Sequence, residues 1–189
     1  MGKTKELNLV TQARKAPGPY TAEDYFALPE GARVELFNGW LIDIGLLESG
    51  KSMAPAPLNR HQHIAQNLSD MISPYVKQQK LGWCYTAPFD LHLMKGMIVQ
   101  PDLCFISNET RARNQGKKLG IDFAPDLIVE VLSPSTAKYD LTAKADAYAQ
   151  AGVKELWFAD PDFEVLSLQA PAEGGRFFRE YLRLDEVQP

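Results

Sequence analysis

The chain has little cysteine, little histidine, no excess of positive charge and no long apolar run. Its two cysteines, Cys84 and Cys104, are too few for a disulfide framework or a cysteine-rich zinc site, and each is expected as a small buried thiol. His61 and His63 stand two apart, so they do not share a helix face and are excluded as a metal pair. No apolar stretch approaches the roughly 18 residues that span a bilayer, so no membrane partner is expected. The opening MGKTKELNLVTQARKAPGPY lacks the hydrophobic core of a signal peptide. A myristoylation start is not met either, because Glu6 stands where Ser or Thr is needed. A cytoplasmic location is expected. With a net charge of −4 a strongly basic footprint is missing, so tight non-specific binding to nucleic acid is not implied. A polyanionic partner would need local positive charge or a bound metal.

What remains is an ordinary globular composition, 45% hydrophobic and 23% charged over 189 residues, enough for one domain with a real core. No repeat or low-complexity tract occurs. Residues 1–19 are expected as a flexible N-terminal tail ending in Pro17-Gly18-Pro19, and residues 20–189 as a single domain. Thr21 caps a short helix, Ala22 to Leu28, with Glu23 and Asp24 in its first turn. Arg33 to Ile44 reads as a hairpin about Asn38-Gly39. After a Pro-rich loop over 48–60, a helix is expected from His61 to Gln79. Its stripe is Ile64, Leu68, Met71, Ile72 and Tyr75, and Pro74 should kink or break it near Ser73. Residues 83–95 and 97–106 read as two strands joined around Lys95-Gly96, and 107–124 as a long loop. Leu127 to Leu132 is a strand apolar on both faces, as in a central strand. A helix from Asp140 to Ala151, stopped by Gly152, leads to a strand at Glu155–Asp160 that would return parallel. A hairpin about Gly174-Gly175 closes the chain.

One residue is out of place in this pattern. Glu130 lies in Asp-Leu-Ile-Val-Glu-Val-Leu, with apolar neighbours on both sides. An unpaired buried carboxylate costs several kcal/mol, so a partner is required. If the strand that follows Asp102 pairs antiparallel with that of Glu130, the two acids meet at one end of the sheet. Two carboxylates about 5 Å apart repel by about 3 kcal/mol at an effective dielectric near 20. A shared proton, a side-chain cation or a metal ion relieves this. Hard oxygen donors suit Mg²⁺ or Mn²⁺, and Lys144, on the next helix, can project back toward the strand end. Acids, lysine and metal together are equipment for phosphodiester hydrolysis. Plainer roles stay open. Asp102 could simply start a strand. Asp140 could cap its helix or pair with Lys144 on the surface. Lys144 could be solvated, Glu35 could point outward, and His61 could be a polar residue at a helix start. Arg111, Arg113, Lys117 and Lys118 form a basic loop that suits either phosphate or solvent. Trp83, Tyr85, Trp157 and Phe158 are expected in the core.

The runs VQPDLCFIS, PDLIVEVLSPST and DLTAKADAYAQAGVKELWFADP, with VELFNGWLIDI and APAPLNRHQHIAQNLSDMI upstream, resemble the Uma family of putative restriction endonucleases, of the PD-(D/E)xK nuclease superfamily. The resemblance covers roughly residues 20–170. It implies an α/β fold, a restriction-endonuclease-like mixed β-sheet flanked by helices. It also implies a Mg²⁺- or Mn²⁺-dependent endonuclease that hydrolyses DNA; since one site cuts one strand, cutting both is simplest with a homodimer. Asp102 and Glu130 would be metal ligands and Glu35 an additional acid. Leu132 occupies the place where the motif carries lysine, a role the resemblance moves to Lys144. His61 and Gln100 match recurring accessory positions. The other implied reading is a catalytically inactive module of the same fold, binding DNA or a protein.

Overall fold

Asn38 and Gly39 both take positive φ, 49° and 74°, as a two-residue hairpin turn between twisted strands requires. The computed structural model describes residues 8–9, 17–44, 59–114, 122–133, 140–161, 165–171 and 177–183. Its elements run β1 (Asn8–Leu9), α1 (Ala22–Phe26), β2 (Val34–Phe37), β3 (Trp40–Asp43), α2 (Asn59–Gln78), β4 (Gly82–Thr86), β5 (Leu91–Met94), β6 (Met97–Val99), β7 (Leu103–Ser107) and α3 (Asn108–Arg113). There follow β8 (Leu127–Val131), a π-helical turn (Asp140–Lys144), α4 (Ala145–Ala151), β9 (Glu155–Asp160), β10 (Val165–Pro171) and β11 (Phe177–Arg183). They form two mixed sheets, a five-stranded one in the order β1-β3-β2-β6-β5 and a six-stranded one in the order β11-β10-β9-β8-β7-β4. β8 runs parallel to β9 and antiparallel to β7, so the α/β expectation and both pairings around Glu130's strand hold.

The core explains why β8 is apolar throughout. Ile128 and Leu132 pack with Cys104, Ile106, Tyr148 and Phe158, and with Phe37, Ile42 and Leu91 of the smaller sheet. Leu127, Val129 and Val131 turn the other way, onto Leu68 of α2. The outer face of the smaller sheet, Val34, Leu36 and Leu41, packs on Tyr20 and Tyr25.

Several expectations need correction. Residues 83–95 and 97–106 are not two long strands. Each splits at a proline, because a residue without an N–H cannot carry the ladder on. The first half of each pair belongs to a different sheet from the second: β4 and β7 pair in the larger sheet, β5 and β6 in the smaller. The crossings are at 87–90 and at Gln100-Pro101-Asp102. The long loop begins as α3, capped by Ser107, whose hydroxyl accepts from the Thr110 N–H at 3.1 Å. Pro74 does not break α2, which runs unbroken to Gln78. Packing holds it, through Leu68 and a buried Val76, while Tyr75, expected in the stripe, is exposed. In the region read as an N-terminal tail, β1 pairs with β3, and the N–H groups of Gly18 and Tyr20 donate to the carbonyls of Asn38 and Gly39. Gly18 has no room for more, since a Cβ there would lie 2.1 Å from the Gly39 oxygen. The Pro-rich loop, Lys117, Lys118 and the Gly174-Gly175 turn lie outside the described residues. No helix among the described residues is long and apolar enough to cross a membrane.

Candidate active site

Strand alternation aims two glutamates at each other from different sheets. Val34 and Leu36 face α1, so Glu35 and Phe37 face inward, and Phe37 lies in the core shared by the two sheets. On β8, Glu130 shares the side of Ile128 and Leu132, which line that same core. Both acids are buried, Glu35 fully. The cation that compensates them is Lys144. Its ammonium lies 3.0 Å from Glu35 Oε1, 2.8 Å from Glu130 Oε1 and 3.6 Å from Asp140 Oδ1.

The π-helical turn brings Asp140 and Lys144 inward, and both are only 4% exposed. Wide turns of this kind are frequent at functional positions. The expectations of a surface Asp140–Lys144 pair, of Asp140 as a mere cap and of a solvated lysine are therefore overturned. Four residues after Lys144, on the same helix side, Tyr148 donates its hydroxyl to Glu130 Oε1 at 2.5 Å. The backbone N–H of Gln100, at the crossing between sheets, donates to Glu35 Oε1 at 2.9 Å.

Asp102 lies next to this group. Leu103 is opposite Val129, so continuing the antiparallel ladder by one residue sets Asp102 opposite Glu130. Its Oδ2 accepts from the Val131 N–H at 2.7 Å and stands 3.4 Å from His61 Nε2, in the first turns of α2. His61 Nδ1 is buried with no partner among the described residues.

Charge is unevenly balanced here. Glu35, Glu130 and Asp140 face one ammonium, and Asp102 beside them faces His61. The Glu130 carboxyl is raised to about 8, chiefly by burial. In that balance the Lys144 charge pulls it down, while Asp140, Asp102 and Glu35 add to the rise. Burial opposes the Lys144 ammonium, but Glu130 and Glu35 win and raise it well above its ordinary value. Burial also opposes protonation of His61, and the hydrogen bond and charge of Asp102 overcome it, so its pKa is raised. Burial and the nearby Glu130 hold Tyr148 firmly protonated.

The structure thus brings Glu35, Glu130 and Lys144 into direct contact, with Asp102 and His61 alongside. Gln100 contributes its backbone, while its side chain turns to the Tyr25 hydroxyl (3.0 Å) and Asp90 Oδ1 (3.1 Å). Tyr148 was missed from sequence, where its only signal is the four-residue spacing from Lys144. Among the described residues no three His, Cys, Asp or Glu side chains are gathered as a metal cage. The donor set still suits a hard cation. It is all carboxylate oxygen, and its negative charge exceeds what Lys144 can balance.

The fold, two mixed sheets flanked by helices, is shared with a solved structure. That structure, from Anabaena variabilis ATCC 29413, is described as a putative nuclease belonging to DUF820. It matches with a TM-score of 0.64 and 21% identity, over 87% of this chain and 85% of that one. The Uma2 family model, described as "Putative restriction endonuclease", matches residues 22–188, and the chain belongs to that family. No curated protein matches it.

Proposed function

We propose that the protein is a divalent-metal-dependent endonuclease that hydrolyses DNA phosphodiester bonds, with its active site at the junction of the two sheets. The observation that carries the reading is Lys144, buried and held by Glu35 and Glu130 beside Asp102. Membership in the Uma2 family, described as "Putative restriction endonuclease", supports it. Asp102, Glu130 and Glu35 would hold Mg²⁺ or Mn²⁺. When bound, the ion would offset phosphate charge and make hydroxide available near neutral pH. The chain's own groups do the rest. Lys144, as a compact three-donor cation, orients the attacking water or a phosphate oxygen. Tyr148 and the Gln100 N–H fix the two glutamates, so the lysine is aimed before substrate arrives. His61 holds Asp102 and can carry a proton. One site cuts one strand, so a double-strand cut calls for two copies, most simply a homodimer.

Plasmid DNA incubated with Mg²⁺ or Mn²⁺ tests this. Wild type should nick or linearise it, and Glu130→Ala and Lys144→Ala should not. Cleavage that survives both substitutions removes the assignment. One observation favours a second reading, a catalytically inactive module that binds DNA or a protein. Lys144 already bonds an acid from each sheet and so acts as a staple between them, and the motif's usual lysine position is Leu132. Under that reading, wild type binds but never cuts, with either metal.

A further inference from the structure

Trp83 does not lie in the core, where an aromatic residue in a strand belongs. It is 53% exposed on β4, the edge strand of the larger sheet. The Arg111 guanidinium stands over its ring, 3.7 Å from the centroid. The Tyr85 ring follows at 6.3 Å and that of Phe89 6.0 Å further on. Trp83 is opposite Ile106 and Tyr85 opposite Cys104. Facing residues share a side, so this aromatic row lies on the face that carries Cys104 and, two residues before it, Asp102. The row and Asp102 are therefore on the same side of the sheet, separated along the strands by roughly 13 Å, with the core residues Cys104 and Ile106 between them.

The charge around Trp83 is opposite to that of the chain as a whole. Residues 77–86 and 108–113 hold Lys77, Lys80, Arg111 and Arg113 against one acid, Glu109, in a protein of net charge −4. Glu109 is occupied by Arg113 at 3.4 Å. A cavity of about 510 Å³ lies at the same edge, on the α2 side of β4, lined by Trp83 with Ser73, Lys77, Lys80, Gly82 and Cys84. An exposed indole with a guanidinium stacked on it, and two lysines in a hollow on the α2 side of the same sheet edge, form a stacking platform flanked by positive charge. Bases stacked inside a duplex have no free face for such a platform, whereas unpaired bases do.

We propose that Trp83, Arg111, Lys77 and Lys80 form a binding site for an unpaired stretch of nucleic acid, with a base on the indole and phosphates at the three cations. The choice of nucleic acid as ligand rests on the nuclease reading.

The test is binding without catalysis. Fluorescence anisotropy of a labelled oligo-dT and of a duplex of equal length is measured in EDTA over a range of salt. Wild type should bind oligo-dT more tightly than duplex. Trp83→Leu should weaken oligo-dT binding about 5- to 100-fold. Arg111→Gln should weaken it and lower the salt slope by about one. Lys95→Gln, an exposed lysine elsewhere, should change nothing. Melting midpoints show whether each variant is folded, and Trp83→Phe, which keeps a ring, should retain most of the affinity if Trp83→Leu unfolds. The proposal is overturned if wild type does not bind oligo-dT, if it prefers duplex, or if folded Trp83 and Arg111 variants bind as wild type does. Binding in EDTA by a protein that never cuts plasmid sinks the nuclease reading and leaves this one. Normal cutting with unaltered binding in the variants does the reverse.

Discussion

Replacing Lys144 with methionine keeps most of the side chain's volume and removes its charge. Glu35 and Glu130 then lose a donor at 3.0 Å and 2.8 Å, in a place where neither reaches much water. Removing one member of a buried ion pair costs about 3–5 kcal/mol, because the other is left uncompensated. For a chain of this length each kcal/mol lowers the melting midpoint by roughly 2–4 °C, so a drop of about 6–20 °C is expected at pH 8. The sign of the pH dependence is fixed. The Glu130 carboxyl is already raised to about 8 in the folded protein. Its favourable contribution is complete below its unfolded value and fades as pH rises through 8. Without the ammonium the Glu130 carboxyl holds its proton more tightly still. Lys144→Met should therefore lose little at pH 5 and most at pH 8, and the gap between the two melting curves should widen as pH rises. Circular dichroism melts across that range read it directly. A drop below about 2 °C at pH 8, or a gap that does not change with pH, would refute Lys144 as the compensating charge.

Two further outcomes follow from individual contacts. Tyr148→Phe removes the 2.5 Å hydrogen bond to Glu130 and should cost about 1.5–3 kcal/mol, read as a lower urea midpoint with unchanged slope; an unaltered midpoint would show the bond contributes nothing. Asp126 accepts from Lys154 at 2.5 Å, the Ser107 N–H at 2.6 Å and the Thr110 hydroxyl at 2.8 Å. These partners overcome burial and depress its carboxyl, so Asp126→Ala should lower the melting midpoint at pH 7 and converge with wild type as pH falls below the ordinary aspartate range; a gap that persists in acid would contradict that ion pair's role.

The readable parts of the fold were those with a local cause. Asn38-Gly39 can hardly be anything but a hairpin turn, and Glu130 among Leu, Ile and Val announces a buried acid in need of a cation. That the cation is Lys144 followed from the next helix and from family resemblance. Harder to read were features set by long-range partners. Pro88 and Pro101 were visible, but nothing local says that a strand ending at proline resumes in another sheet. It is that switch which carries the Gln100 N–H to Glu35. Asp140 is a good helix cap by residue type, and only the wide turn that packs Lys144 inward buries it. Ser107 and Thr110 start a helix inside an apparent loop because Asp126, distant in sequence, accepts from both. Trp83 sits in a strand pattern that reads as core, and its exposure reflects β4 being an edge, a property of the sheet rather than of the strand.

Binding of a divalent ion by the clustered acids is most directly tested by following the melting midpoint as Mn²⁺ is added to wild type and to Glu130→Gln. An ion bound only by the folded state stabilises it by about 2.7 kcal/mol at a hundred times its dissociation constant, or roughly 5–11 °C here. Wild type should show that rise and Glu130→Gln should not; a flat wild-type curve into the millimolar range, or equal rises in both proteins, would contradict a metal site at the sheet junction.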